Sequence, residues 1–83
     1  MEQSTRQTEQ ASSLLTINDM QHAVSYIHDF TECGYALLGK VIDTTTATFV
    51  LRHRRNGARI KLALSHKKIE VYRDKKLRKI EEF

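Results

Sequence analysis

The chain has 83 residues, 40% of them hydrophobic, and a net charge of +4. That length holds one domain at most, no apolar run approaches the ~20 residues that cross a bilayer as a helix, and a single cysteine, Cys33, excludes an internal disulfide. These features point to a small cytoplasmic protein in a reducing compartment, with no membrane partner.

Residues 1–13, MEQSTRQTEQASS, are polar, lack a large apolar side chain after Met1 and show no period. They are read as a disordered tail ahead of a single small α+β domain over residues 14–83. No basic segment followed by an apolar run appears there, so no secretory signal is expected. A domain of about seventy residues buries only about 60% of its unfolded surface and is marginal alone, which favours self-association.

From Ile17 the apolar residues fall at helical spacing: Ile17, Met20, Ala23, Val24, Ile27 and Phe30. At 100° per residue they cover an arc of roughly 140°. The opposite face carries Asn18, His22, Ser25, Asp29 and Glu32. Thr16 with Asp19 three positions on makes a capping box, and Asn18 with Gln21 is the competing pair. Gly34 suits the left-handed residue that ends a helix. The spacing predicts a helix over 17–33.

After Gly34 the period changes to two. YALLGKVID, residues 35–43, reads as a first strand with Gly39 as a bulge or bend. TATFVLRHR, 46–54, is a second and ARIKLALS, 58–65, a third. Asn56-Gly57 between them is the favoured pair for a two-residue type I′ turn. KIEVYR, 68–73, is a fourth strand. Asp74-Lys75 reads as a turn, and KLRKIEEF as a fifth strand or a short terminal helix.

Strand alternation divides these residues into two faces. Ala47, Phe49, Leu51, Ile60, Leu62, Leu64, Ile69 and Val71 form a continuous apolar surface, which the helix would cover. The other face takes Thr48, Val50, Arg52, Arg54, Arg59, Lys61, Ala63, Glu70 and Tyr72, and is basic. The first strand is apolar on both sides: Tyr35, Leu37 and Val41 point one way, Ala36, Leu38 and Ile42 the other. Such a strand is normally buried on both faces, whereas a meander leaves it at an edge. Either the sheet curls into a small barrel of the Sm-like or SH3-like kind, or a second subunit covers the strand. In the latter case Tyr35, Leu37 and Val41 are the expected interface of a homodimer. The expected fold is one N-terminal amphipathic helix on a four- to five-stranded antiparallel meander, open or closed.

Charge is split along the chain. Residues 1–39 hold one cation against five acids, a net −4, and residues 40–83 hold thirteen cations against five acids, a net +8. No acid lies between Asp43 and Glu70. Arg52, Arg54, Arg59 and Lys61 share a face by alternation, Arg55 sits beside the turn, and cross-strand neighbours stand about 5 Å apart. Like charges that close destabilise a hairpin unless an anion relieves them. A two-stranded basic ribbon also matches the width of a DNA major groove. Lys67 and Lys68 would lie at the margin, Lys75, Lys76, Arg78 and Lys79 would extend the contact, and Tyr72 would stack on an unpaired base. The bland alternative is a solvated face whose aliphatic stems cover Val50 and Tyr72.

Other chemistries find little support. His22, Ser25 and Asp29 share a helix face but have neither a buried acid nor an oxyanion hole, as a hydrolase triad needs. His22, His28, Cys33, His53 and His66 show no ligand spacing of a metal site, and the three glycines are scattered rather than gathered in a phosphate loop. No cofactor is expected. The residues point to a small non-enzymatic, regulatory or nucleic-acid-binding protein, acting on DNA or RNA through Arg52, Arg54, Arg55, Arg59, Lys61, Lys67, Lys68 and Tyr72. The runner-up is an interaction module that docks an acidic protein.

Overall fold

The computed structural model describes residues 13–83. The tail expected over 1–13 therefore lies, Ser13 apart, outside the described residues. One helix, α1 (Ile17–Glu32), precedes five strands: β1 (Tyr35–Ile42), β2 (Thr46–His53), β3 (Arg59–Ser65), β4 (Lys68–Arg73) and β5 (Lys76–Glu82). The strands form one antiparallel meander in the order β1-β2-β3-β4-β5. β1 and β5 are its two open edges, so the sheet does not close into a barrel. No helix among the described residues is long and apolar enough to cross a membrane.

Thr16 caps α1. Its Oγ1 accepts the Asp19 N–H at 3.1 Å, and its own N–H donates to Asp19 Oδ2 at 2.9 Å. The helix ends where Gly34 takes φ 99°, a conformation that costs most residues about 1–2 kcal/mol. A Cβ there would stand 3.0 Å from His53 Nε2, so the His53 ring would have to give way by a few tenths of an ångström in addition to the backbone cost.

All eight residues assigned to the apolar sheet face are buried, and Ala23 completes the core. Each fully buried aliphatic side chain contributes about 1.5–3 kcal/mol. The helix lies over this face with Met20, Tyr26, Ile27 and Phe30 packed on it. Its roll differs from the one its apolar spacing predicts. Ile17 is 80% exposed and Val24 58% exposed, whereas Asp19 faces inward and is fully buried. Polar anchors explain the rotation. Asp19 accepts from His66 Nδ1 at 2.9 Å and from the Lys67 N–H at 3.0 Å, in the turn between β3 and β4. Further along, the Tyr26 hydroxyl donates to Glu81 on β5. These contacts put the Asp19–Ala23–Tyr26–Phe30 line against the sheet.

Two further expectations change. The β2–β3 connection is not a two-residue turn. Arg52 pairs with Arg59, and His53 N–H donates to Ala58 O at 2.8 Å, leaving Arg54–Gly57 as the loop. Of those four only Gly57 has positive φ, whereas a type I′ turn needs two such residues in succession. The loop is held instead by His53, whose carbonyl accepts from Gly57 N–H at 3.0 Å and whose Nδ1 accepts from Arg55 N–H at 3.2 Å. The two-residue turn with two positive φ values occurs at Asp74-Lys75, φ 50° and 70°, between paired Arg73 and Lys76.

In β1 the register slips between Leu37 and Gly39, so Leu38 is an extra residue in a bulge. The slip moves Val41 to the face of Thr48 and Ile42 to the face of Ala47. Val41 thus lies opposite to Tyr35 and Leu37, not beside them. Nor is β1 buried on both sides in the single chain: Leu37, Leu38, Val41 and Ile42 are all exposed.

Candidate nucleic-acid interface

With α1 on one side, no element among the described residues covers the other face of the sheet. The register brings Arg52 opposite Arg59, and Lys61 between Val50 and Tyr72. Arg52, Arg59 and Lys61 are exposed on this outer face, and Val50 and Tyr72 are half-buried among them. The Lys61 ammonium stands 5.2 Å from the centre of the Tyr72 ring, a cation–π arrangement worth about 0.5–1 kcal/mol at an exposed site. Together with Asp74 and Lys75, the Val50, Arg59, Lys61 and Tyr72 side chains wall a hollow of about 450 Å³. That is within the ~300–1,000 Å³ range of small-ligand sites.

Among the described residues no ion pair ties up these cations. Among the same residues, an ion pair joins Lys79 to Glu81, and carboxylates contact histidines at His28 with Asp29 and Glu32 and at His66 with Asp19. None involves Arg52, Arg59, Lys61 or Lys75. Asp74 is the acid nearest Arg59, but it accepts the Arg59 backbone N–H, at 3.4 Å, rather than the guanidinium. Burial and the adjacent Glu70 carboxylate push the Tyr72 phenol up from its ordinary pKa, so it stays protonated and donates to Glu70 Oε1 at 3.3 Å.

The remaining basic residues are not all gathered here. Arg54 does not share the strand face, because β2 ends at His53; its N–H donates to Gly34 O at 3.0 Å, beside the end of α1. Arg55 is exposed in the loop beyond the strands. Lys67 and Lys68 lie at the opposite end of β3 from Arg59, about 20 Å away at ~3.3 Å per residue. Lys67 has a structural task there: its N–H binds Asp19 and its carbonyl accepts from Phe83 N–H at 3.0 Å.

The β2–β3 ribbon is also not free. It is flanked by β1 and β4, and five strands at ~4.8 Å spacing span about 19 Å, too wide for a major groove of ~12 Å. The strands therefore cannot enter a duplex groove as a lone ribbon would.

The metal and triad candidates disperse. His22 stacks on Phe83 at 3.7 Å between ring centres, His53 packs edge-on against Tyr35 at 4.9 Å, and Cys33 is exposed. Among the described residues no three His, Cys, Asp or Glu side chains are placed to hold a metal ion. Of the expected dimer residues, Tyr35 turns inward against Phe30 at 5.4 Å, while Leu37 and Val41 are exposed on opposite faces of β1.

Lys75, expected to extend the basic contact, lines the hollow, whereas Asp74 was not legible as one of its walls. The available signal was register: counting back from a turn at His66-Lys67 sets Asp74 beside Arg59. No family model, curated protein or solved structure matches the chain.

Proposed function

We propose that the protein is a small non-enzymatic nucleic-acid-binding protein of the cytoplasm that holds phosphates on the outer face of its sheet. Arg52, Arg59 and Lys61 make the principal contacts, Lys75 joins them across the hollow, and Arg55 reaches from the loop. The observation that carries the reading is a set of exposed cations on one face, with Arg52 directly opposite Arg59 and, among the described residues, no carboxylate in an ion pair with either. Like charges so placed cost stability in the free protein, and a bound polyanion returns it. The test is polarisation of labelled oligonucleotides with wild type and with Arg52, Arg59 and Lys61 replaced by alanine. Binding should weaken at least tenfold in the variant. It should also fall by about 0.7 log unit per neutralised phosphate for each log unit of salt on single strands, or about 0.9 on duplex. Binding that ignores the substitutions discards this reading; capture of one acidic protein by the same residues installs the alternative.

The self-association that the sequence suggests is supported by the contrast between the two edges. β5 also exposes Leu77 and Ile80, but it carries Lys76, Arg78, Lys79, Glu81 and Glu82, charges that discourage strand addition. β1 carries only Lys40, with Leu38, Val41 and Ile42 exposed. We place a second copy against β1, related by a twofold axis that pairs the two edge strands.

A further inference from the structure

We propose that the outer-face hollow holds one unpaired base of a single-stranded nucleic acid, stacked on the Tyr72 ring where the Lys61 ammonium stands in the free protein, with the neighbouring phosphates on Arg52, Arg59 and Lys61. This rests on the reading of the outer face as a nucleic-acid site and narrows it to single strands.

Three observations carry it. The first is shape: a five-stranded sheet too wide for a major groove presents a broad platform, which suits a strand laid across it. The second is chemistry. The hollow has an aliphatic and aromatic floor from Val50 and Tyr72, and cations at its rim from Arg59, Lys61 and Lys75. A nucleotide unit has the complementary make-up, a flat apolar-faced base joined to an anion. In a duplex that base is already stacked and paired, so only an unpaired one can enter.

The third is the placement of the acids. Glu70 holds the Tyr72 hydroxyl, which fixes the ring, and Asp74 stands at the rim beside Arg59. Both repel phosphate from the β4 side. The backbone of the strand therefore runs on the β2–β3 side, over Arg52, Arg59 and Lys61, while the base turns toward Tyr72. The Lys61 ammonium, 5.2 Å from the ring centre, gives up that place to the base and turns to the phosphate of the stacked nucleotide. Tyr72 is the one aromatic on the outer face, since Phe49 is buried in the core and Phe30, Tyr26, Tyr35 and Phe83 pack against it. One aromatic gives one stacked base and little sequence preference.

The test compares three ligands of equal length on the wild-type protein at low salt: a base-bearing single strand, a single strand with abasic sites, and a duplex. Stacking on one aromatic is worth roughly 5- to 150-fold in affinity. The base-bearing strand should exceed the abasic one by a factor in that range and should also exceed the duplex. Tyr72→Leu, whose fold is checked by circular dichroism, should lose that factor on the base-bearing strand and nothing on the abasic one. Arg59→Ala should weaken both strands alike. Equal affinity for abasic and base-bearing strands, or tighter binding of duplex, overturns the base site and leaves the basic face standing. Absence of binding to every oligonucleotide at low salt overturns both. The abasic comparison uses wild type alone and does not depend on any variant folding.

Discussion

Asp19 is the residue on which most local geometry converges. It is fully buried and yet charged, because its carboxylate accepts from the Thr16 and Lys67 backbone N–H groups and from His66. Burial alone pushes its pKa up; the hydrogen bonds from His66, Thr16 and Lys67 outweigh that and hold it at about 2, below the ordinary 3.8. A carboxyl with a lower pKa folded than unfolded stabilises the protein above its unfolded value. That contribution, on the order of 2 kcal/mol, is lost as pH falls from about 4 toward 2. Denaturant titrations at pH 6 and at pH 2 should show the difference, and Asp19→Ala should abolish most of it. At neutral pH Asp19→Ala should cost about 3 kcal/mol, since it leaves His66 and two backbone N–H groups without their acceptor. A variant as stable as wild type would mean that Asp19 does not tie α1 to the β3–β4 turn.

The helix shows how polar anchors override apolar spacing. A stripe from Ile17 through Val24 is the obvious choice for burial, but Asp19 and Tyr26 find their partners only if α1 rolls toward the other side. The cost is modest, because Ile17 and Val24 lose burial while Tyr26 gains it. The roll can be tested by substitution. Ala23, with no exposure, has no room for growth, so Ala23→Leu should destabilise by about 1–3 kcal/mol. Val24→Ser on the exposed side should stay within about 0.5 kcal/mol. The opposite ranking in thermal denaturation would restore the roll that spacing alone suggests.

At the scale of the whole molecule, the domain has two layers and two unfinished surfaces. One is the outer sheet face with its cations and hollow; the other is the β1 edge. They are different in kind, one basic and one apolar, and β1 lies at the margin of the sheet while the hollow sits over β2, β3 and β4. A twofold pairing of β1 strands would carry both hollows on one extended sheet and lengthen the platform for a polyanion. Sedimentation across micromolar concentrations should report twice the 9.7 kDa chain mass. Leu38→Lys with Val41→Lys should return it to the monomer mass with little change in chain stability. A wild type that sediments as a monomer throughout leaves β1 a bare edge and removes the dimer.

Alternation and helix capping make much of this protein legible in its sequence, whereas the Asn56-Gly57 pair pointed to a two-residue turn that the chain does not make. Every residue of the buried sheet face follows from a period of two, because the pleat admits only two directions for a side chain. The cap at Thr16 and the stop at Gly34 follow from local hydrogen bonding and a left-handed φ. Three matters depended on the assembled chain. The Leu38 bulge moved Val41 to the other face, since register belongs to a strand pair and not to a strand. The burial of Asp19 depended on His66, 47 positions away, and no local pattern joins the two. The hollow exists because two turns, His66-Lys67 and Asp74-Lys75, fold β4 back beside Arg59 and Lys61 and carry Asp74 and Lys75 to the rim. Short-range rules decide which way a side chain points; only closure of the long-range contacts decides what it meets there.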